Sequence, residues 1–558
     1  MRSTFSGFYI ARSGIQAARA NLQITGQNMA NVNTDGYTRQ RVNTSAIPSA
    51  GNNMRYSNHT DAAIGQGVST DGTSQIRDPF LDVRFRRQNA KVGDTTAQMN
   101  ALGDVEDVVD ETSNDGLQKQ LKDFISKLQT LSGNAGDKVT ESIVKTSASM
   151  LAKMFNNTAN QIQNIKDQQL SYLQDNAVES ANQLLSNIAK LNTEIKSADV
   201  SGSPALELMD QRNTMLDKLS AYANIEVDSN TVSVGSGRTV AELSINLIGK
   251  NGEKYNLVDN DKYSQFSLKK DPSTGLVNTD PVEMQLNTST GTPVVSTESG
   301  TAVSFSNNQL TSGSFHGYLA VLNGKGDYDT SAATSDTHDS TSAKGIPYYQ
   351  NMMDTLANKF ASIMNAANST NTDGVGYNKP MFTTADGKTT GTYIDPATGN
   401  TMGEEITAAN ISISNAWSTA TTSYITNTKS TLDPSIDNSK SANNILYMIN
   451  QFSTAMTFTT KSDGTGSLIF KGTLQDGITN FTGTLGLQIQ DISRQNTTYT
   501  SELSSISNAI NENSAVSVDE EGINLIMYNQ ALTASSRFMT TLDQALDTII
   551  NKMGVVGT

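Results

Sequence analysis

The sequence predicts an α+β multidomain protein, with a long-helix, coiled-coil-like shaft built from both chain ends and inserted β-rich lobes. Each end of the chain carries an unbroken apolar repeat with alternating steps of three and four residues. In the interior, short alternating runs broken by Gly, Asn and Asp indicate strands and turns. The length of 558 residues also exceeds what one ordinary hydrophobic core holds.

The first helix is predicted by an apolar repeat near the start of the chain. The repeat consists of Phe8, Ala11, Ile15, Ala18, Leu22, Thr25, Met29 and Val32. This spacing places the side chains on one face, where a second helix packs, over about 25 residues and roughly 40 Å. The stretch "NVNTDG" that follows is typical of a helix end and a turn, because Asn and Gly tolerate left-handed backbone.

The last helix is predicted by the same repeat at the other end of the chain. Its members are Leu525, Tyr528, Leu532, Ser535, Met539, Leu542, Leu546, Ile549 and Met553. Each repeat needs a partner, and we expect the two to pair with each other. Five arginines against one acid in residues 1–41, and five acids against two bases in 519–558, agree with this orientation. The alternative, two ordinary amphipathic helices packed on a globular core, stays open.

The interior is predicted to alternate between helical and β-rich segments. Residues 142–198 read as a rod of about 85 Å with one register shift near Asn176–Ala177. Further helices are predicted at 102–110, 116–131, 345–367, 441–453 and 482–511, and a hairpin at 455–472. Residues 202–227 are predicted to form a Pro-started helix followed by a first strand. We predict that residues 1–36 and 522–558 form paired terminal helices that are unstructured in the monomer. Residues 37–225, 311–378 and 437–521 are predicted to form a mainly helical shaft. Residues 226–310 are predicted to form an inserted β domain, and residues 379–436 an irregular β-rich segment or a small second lobe.

Composition excludes several classes of protein. The formal charge of −15 argues against general nucleic-acid binding. The absence of cysteine removes disulfides and thiolate chemistry, and no apolar run is long enough to cross a membrane. The N-terminus has no clear signal peptide, so we expect a cytosolic protein or one exported without a cleaved signal.

No constellation of residues predicts catalysis, a metal or a cofactor. The histidines are far apart, at His59, His316 and His338, without ligand spacing. The stretch "RDPFLDVRFRRQN" at 77–89 is a local basic patch, which reads most simply as a solvated helix start. We therefore predict a protein that is not an enzyme.

Several motifs resemble those of bacterial flagellar axial proteins, and in particular the flagellar hook-associated protein 1 family. "ANVNTDGYTRQ" is similar to the N-terminal axial signature, and "DPFLDVRFRRQN" to its continuation in that family. "DQRNTMLDKLS" resembles a central helix of the family, with Asn213 where an acid is common, and residues 516–554 resemble its C-terminal helix. The motif residues are Ala30, Asn31, Asn33, Thr34, Gly36, Tyr37, Arg39, Gln40, Asp210, Gln211 and Arg212.

The resemblance implies a structural subunit at the junction between the flagellar hook and filament, in the extracellular flagellum. It implies self-association in a ring, with the hook protein on one side and a second junction protein leading to flagellin on the other. It also implies an export chaperone near the C-terminal helix, and neither nucleic-acid binding nor membrane insertion. The predicted assembly interface comprises Phe8, Ile15, Leu22, Met29, Val32, Leu525, Leu532, Met539, Leu542, Leu546 and Ile549.

Two alternatives remain at this point. Another axial component such as the hook protein shares the N-terminal signature, but should lack "DQRNTMLDKLS" and the rod at 142–198. A secreted coiled-coil adhesin would explain the polar helices and β-rich lobes, but would not need matched repeats at both ends.

Overall fold

The structure is a computed structural model. It describes residues 5–47, 65–202, 205–235, 238–274, 276–288, 303–305, 309–329, 343–369, 379–384, 393–394, 401–402, 405–429, 442–460 and 466–552. His59, His338 and Met553 lie outside the described residues.

Helices make up most of the described residues, and many of them are long. They are α1 (Ser6–Ala30), α2 (Pro79–Asp115), α3 (Leu117–Gly133), α4 (Lys138–Ser171), α5 (Glu179–Ser201), α6 (Leu206–Ser220), α7 (Ser314–Asn323), α8 (Ile346–Asn368), α9 (Asn415–Ser418), α10 (Asn443–Ser453), α11 (Leu474–Ser514) and α12 (Val518–Asp547). The helices predicted at 102–110 and 482–511 are parts of the longer α2 and α11. Pro79 opens α2, where its missing N–H costs nothing.

The strands lie between the helices. They are β1 (Gln40–Ala46), β2 (Val68–Gln75), β3 (Ile225–Gly235), β4 (Arg238–Ile248), β5 (Lys254–Asp259), β6 (Lys262–Leu268), β7 (Met284–Thr288), β8 (Val303–Phe305), β9 (Phe382–Thr384), β10 (Tyr393–Ile394), β11 (Thr401–Met402), β12 (Ile411–Ile413), β13 (Met456–Thr459) and β14 (Leu468–Gly472). Strands β3 to β14 fall in segments predicted to be β-rich, whereas β1 and β2 lie in a segment predicted to be mainly helical. Strands β3 to β8 form one antiparallel six-stranded sheet in sequence order. The other strands form two-stranded pairs, including the predicted hairpin β13–β14.

The predicted rod is one continuous helix from α4 through α5. The two α-helices are joined by a π-helix at Tyr172–Val178. The predicted register shift at Asn176–Ala177 falls inside this π-helix, which confirms the shift.

Two hydrophobic cores share this rod. The first core lies among α2, α3, α4, α8, α10 and α11, and contains a cluster of edge-to-face rings around Phe124 and Phe360, whose centroids are 5.8 Å apart. The second core lies between the six-stranded sheet and α5, α6 and α7. Gln169, near the end of α4, binds the rod to α2, because its side-chain amide donates to Asp104 at 2.7 Å.

Residues 405–429 pack into the first core. Trp417 and Ile411 are fully buried there. The buried Glu141 carboxylate, in the first turn of α4, accepts hydrogen bonds from the backbone N–H groups of Tyr424 at 2.8 Å and Ile425 at 3.1 Å. The described part of the segment 379–436 is therefore fastened to the helical body.

Candidate assembly surface and its joint

The first and last helices pack against each other as an antiparallel pair, here called the terminal pair (α1 and α12). Gly7 lies against Leu542 and Gly14 against Ser535, so the helices run in opposite directions. A Cβ on Gly14 would come within 2.9 Å of Ser535 Oγ, which shows how closely the backbones approach. This pairing of the chain ends is the predicted one.

Most residues of the predicted repeats face the partner helix. The half-buried members are Phe8, Ile15, Leu22, Met29, Leu532, Met539, Leu542 and Leu546, and Ala11, Ala18 and Thr25 are buried. Leu525 and Ile549, near the two ends of α12, are exposed. Val32 lies in the turn after α1 and lines a cavity there.

The outward side of α12 has no cover among the described residues. Glu521 is the single buried residue of this 30-residue helix. Large apolar side chains are exposed along the opposite side, among them Ile523 at 67%, Met527 at 49% and Phe538 at 45%. An amphipathic helix normally hides its apolar face, so a surface of this kind marks an interaction site.

Helix α1 ends in a turn built by its Asn and Gly residues. The backbone N–H of Asn31 donates to the carbonyls of Gln27 and Asn28, and the side-chain amide of Asn31 donates to the Gln27 carbonyl at 3.0 Å. Gly36 adopts φ +74°, which is left-handed backbone. A Cβ at Gly36 would come within 2.2 Å of Thr214 Oγ1, so the turn also lies close against α6.

A buried asparagine holds the returning chain against the end of α1. The Asn28 side chain accepts from the Gln40 N–H at 3.0 Å and donates to the Gln40 carbonyl at 2.9 Å. The Tyr37 hydroxyl donates to the same Asn28 oxygen at 2.9 Å. Burial, followed by the charges of Glu207, Asp210 and Glu521, raises the pKa of Tyr37 to about 12.

Helix α6 binds the turn through two carboxylates. Asp210 accepts from the Thr38 N–H at 3.0 Å and from the Thr38 hydroxyl at 2.7 Å. Burial raises the pKa of Asp210, against the lowering effect of the Thr38 hydrogen bonds and the Arg77 charge. Glu207 accepts from the side-chain amides of Gln40, at 3.1 Å, and of Gln27.

Arg39 joins the turn to the start of α12. Its N–H donates to the Ser514 carbonyl at 2.9 Å. Its guanidinium pairs with Glu520 at 2.7 Å and with the buried Glu521 at 2.8 Å. Because Glu521 is buried, removal of Arg39 would leave an uncompensated buried charge, which costs more than the loss of an exposed pair. We call Asn28, residues 31–40, the α6 residues Glu207, Asp210 and Thr214, and residues 514–521 together the joint.

A second group of ion pairs fixes α2 to α6 beside the joint. Arg86 donates to Asp217 at 2.8 Å, and Arg77 donates to Asp82 at 2.6 Å and lies 3.9 Å from Asp210. Burial raises the pKa of Asp217, and the two arginines partly offset this effect.

About half of the predicted motif residues make the contacts of the joint. Gly36, Tyr37, Arg39, Gln40 and Asp210 take part directly. Ala30, Asn33, Thr34 and Gln211 are exposed, and Arg212 points elsewhere, donating to Asn192 at 3.0 Å. Burial lowers the pKa of Arg212 to about 10.

Sequence reasoning missed several residues of the joint. They are Asn28, Thr38, Glu207, Thr214 and Glu521. Of these residues, only Asn28 gave a signal in the sequence, because it is a polar residue in the buried stripe of α1. Nothing in the sequence pairs Arg39 with Glu521, since 482 positions separate them.

The described residues hold no cluster of three or more metal-ligating side chains. Within the same residues, no helix has the length and hydropathy needed to span a membrane. His316 lies on α7 with its Nδ1 3.0 Å from Asp94, away from the joint.

Comparisons with known proteins fall on these same regions. Residues 8–38 match the model for "Flagella basal body rod protein", and residues 507–552 match "Flagellar basal body rod FlgEFG protein C-terminal". These ranges cover the terminal pair and the turn of the joint. The paired chain ends and their joint therefore define a structural protein of the flagellar axis.

The interior of the chain identifies the family. Residues 102–382 match "Flagellar hook-associated protein FlgK helical domain". Flagellar hook-associated protein 1 of Bacillus subtilis (strain 168) is 30% identical over 570 residues, covering 100% of both chains. The chain belongs to the flagellar hook-associated protein 1 family and is a structural subunit of the flagellum at the junction of hook and filament.

Other similarities are weaker or cover less of the chain. Flagellar hook-associated protein 1 of Escherichia coli (strain K12) is 28% identical over 222 residues, 39% of this chain and 38% of the relative. The solved structure of the flagellar hook junction protein FlgK from Burkholderia pseudomallei is 16% identical, with a TM-score of 0.49, over 76% of this chain and 99% of that one.

Proposed function

We propose that copies of this chain assemble into a ring through the terminal pair, and that the joint sets the direction in which the pair leaves the helical body. The observation that supports the proposal is the outward side of α12, which exposes Ile523, Met527 and Phe538 while only Glu521 of the helix is buried. Neighbouring copies supply the missing cover.

The joint supports the proposal by linking three distant parts of the sequence. Asp210 of α6 holds Thr38, and Arg39 holds Ser514 and Glu521. The end of α1, the middle of the chain and the start of α12 therefore meet at one place. Each copy can then present its terminal pair at the same angle, as a ring requires.

The neighbours in the proposed assembly follow from the family. The ring joins the hook protein on one side and a second junction protein, leading to flagellin, on the other. An export chaperone binds near the C-terminal helix, whose exposed apolar side suits such a partner before assembly. The chain is exported without a cleaved signal peptide and acts mechanically, with no catalytic activity.

Apolar-to-acid substitutions test the proposed interface. Leu22→Asp and Leu542→Asp each place a charge in the terminal pair, so we expect incorporation into flagella to be lost. Thermal melting of the monomer should stay unchanged, because the body does not depend on the pair. Leu487→Asp is the matched control, at a leucine of α11 that is 69% exposed. Normal incorporation of Leu542→Asp would contradict the interface.

Removal of the protein tests the proposed position. Cells lacking it should form hooks without filaments and release flagellin to the medium, as seen by electron microscopy and by analysis of the culture fluid. Filaments of normal length on such cells would count against the proposal.

A further inference from the structure

The first turns of α2 expose a strip that the joint does not use. Phe80 is 67% and Val83 39% exposed, and Arg84 and Arg87 are exposed beside them. The Arg84 guanidinium lies 5.9 Å from the centre of the Phe80 ring. In contrast, Arg77 and Arg86 of the same basic stretch are held by Asp82 and Asp217. We call Phe80, Val83, Arg84 and Arg87 the α2 strip.

The α2 strip is cationic in a chain whose formal charge is −15. Within the described part of the chain, no carboxylate forms an ion pair with Arg84 or Arg87. A groove of about 480 Å³ runs beside the strip, lined by these two arginines and, on α11, by Glu502 and Ile506. The α2 strip is therefore partly apolar and only partly neutralised, and it borders a groove on its α11 side, which suits an acidic amphipathic helix.

The outward side of α12 has the complementary chemistry. Asp519, Ile523 and Ile526 are exposed, with the two isoleucines at 67% and 58%. Asp519 lies seven residues before Ile526, as Phe80 does before Arg87, so the two faces have the same length. Both faces also begin beside the joint, since Arg77 precedes one and Ser514 precedes the other.

We propose that the first two turns of α12 in one copy pack antiparallel on the α2 strip of the next copy. This contact rests on the proposed ring and names a second surface for it. Antiparallel packing sets Asp519 opposite Arg87, and Ile526 opposite Phe80. The two partners use different surfaces, so the contact is heterologous and continues from copy to copy around a ring.

Cysteine pairing tests the contact, because the natural chain contains no cysteine. Val83→Cys and Ile523→Cys are made separately and produced together in one cell. After oxidation of isolated flagella, we expect a disulfide-linked dimer from the mixture and none from either variant alone. Val139→Cys, at a site on α4 that is 68% exposed, replaces Val83→Cys as the control and should give no dimer with Ile523→Cys. If both variants are incorporated without a mixed dimer, the contact is wrong while the ring proposal stands.

Charge reversal gives an independent measurement. Arg84→Glu with Arg87→Glu should lower incorporation by roughly tenfold, and adding Asp519→Lys should restore much of it. Lys153→Glu with Lys190→Glu makes the same change in net charge at exposed sites elsewhere and should have little effect. Incorporation of the Arg84→Glu, Arg87→Glu variant at the natural level would overturn the proposal.

Discussion

Gly36 is a position at which the joint depends on the absence of a side chain. We expect Gly36→Ala to destabilise the joint for two reasons: φ of +74° is unfavourable for Ala by about 1 kcal/mol, and the new Cβ would meet Thr214 Oγ1. The measurement is urea unfolding together with hydrogen exchange of residues 31–40.

A second variant separates the two contributions. Thr214→Ala in the Gly36→Ala background removes the clash but not the backbone strain, so it should recover part of the lost stability. Thr214→Ala alone serves as the control. Unfolding and exchange of Gly36→Ala identical to those of the natural protein would show that the turn is looser than the structure indicates.

Asp354 of α8 makes stability depend on pH. Burial raises its pKa to about 6, against the hydrogen bond donated by the Ala408 N–H at 2.7 Å, with a further upward effect from Glu405. Since the folded-state pKa is above the ordinary value of 3.8, the folded protein binds more protons than the unfolded chain between these values. The free energy of unfolding should therefore fall as pH rises from about 4 to about 6, by up to about 3 kcal/mol from this group.

Asp354→Asn checks this expectation. The Asn oxygen still accepts from Ala408 but does not ionise, so the variant should lose this part of the pH dependence. Asp175→Asn, at an exposed position, is the control. Parallel stability curves for the natural protein and Asp354→Asn between pH 4 and 6 would contradict the assignment.

The π-helix keeps the buried face of the rod on one side. Buried residues follow one another every four positions from Ile165 through Gln169, Leu173, Ala177 and Ala181 to Leu185. In an α-helix each such step drifts by about 40° around the axis, which would turn the stripe away from the second core. A π-helix needs more residues per turn, so Tyr172–Val178 absorbs the excess and keeps one face toward both cores.

Deleting one residue tests this explanation. Removal of the exposed Asn176 should convert the π-helix to α-helix and leave the buried face in register, with a loss of no more than about 1 kcal/mol. Removal of the exposed Asn157, inside α4, should instead rotate the rest of the rod by about 100° and abolish cooperative unfolding. Equal damage from both deletions in a thermal melt would rule out the register explanation.

The elements that could be predicted from the sequence are those with a local pattern. The repeats of α1 and α12, the register shift in the rod and the hairpin β13–β14 are all periodic patterns of neighbouring residues. The position of residues 405–429 was not readable, because Glu141 reaches them across more than 270 positions. The turn of the joint could be predicted from "NVNTDGY". The bonds of the joint to Asp210 and Glu521 could not, because they are long-range and follow from the packing of whole helices.

The β-rich segment 226–310 shares its core with the helices that carry it. Sheet residues such as Ile245 and Phe266 pack with Leu185 and Ile188 of α5 and with Phe315 of α7. We also propose that this inserted segment is dispensable for export, and two expectations follow. Replacement of 226–310 by a Gly/Ser linker should lower the melting temperature, because α5 and α7 lose their cover, yet leave secretion intact. Retention of the shaft-only protein in the cytoplasm would refute the proposed independence.

The terminal pair is the part of the molecule we expect to be unstructured in the dilute monomer and helical in the assembled junction. Ordering each residue costs about 1–2 kcal/mol, whereas burying a Leu or Met fully returns about 1.5–3 kcal/mol. In the pair, Leu22, Leu532 and Leu542 are only half-buried, so packing between two helices of one copy falls short, and neighbouring copies supply the remainder.

Trypsin distinguishes the two states of the pair within one molecule. Arg12 and Arg537 lie in the pair, while Arg494 of α11 and Lys153 of α4 are also exposed but belong to the body. If the pair is unstructured in the monomer, cleavage at Arg12 and Arg537 should be at least about tenfold faster than at Arg494 and Lys153, leaving a stable core. In isolated flagella the same sites should be protected, because neighbouring copies hold the helices. Cleavage of monomeric Arg537 no faster than Arg494 would show that one copy is enough to fold its own ends, and that assembly joins surfaces that are already formed.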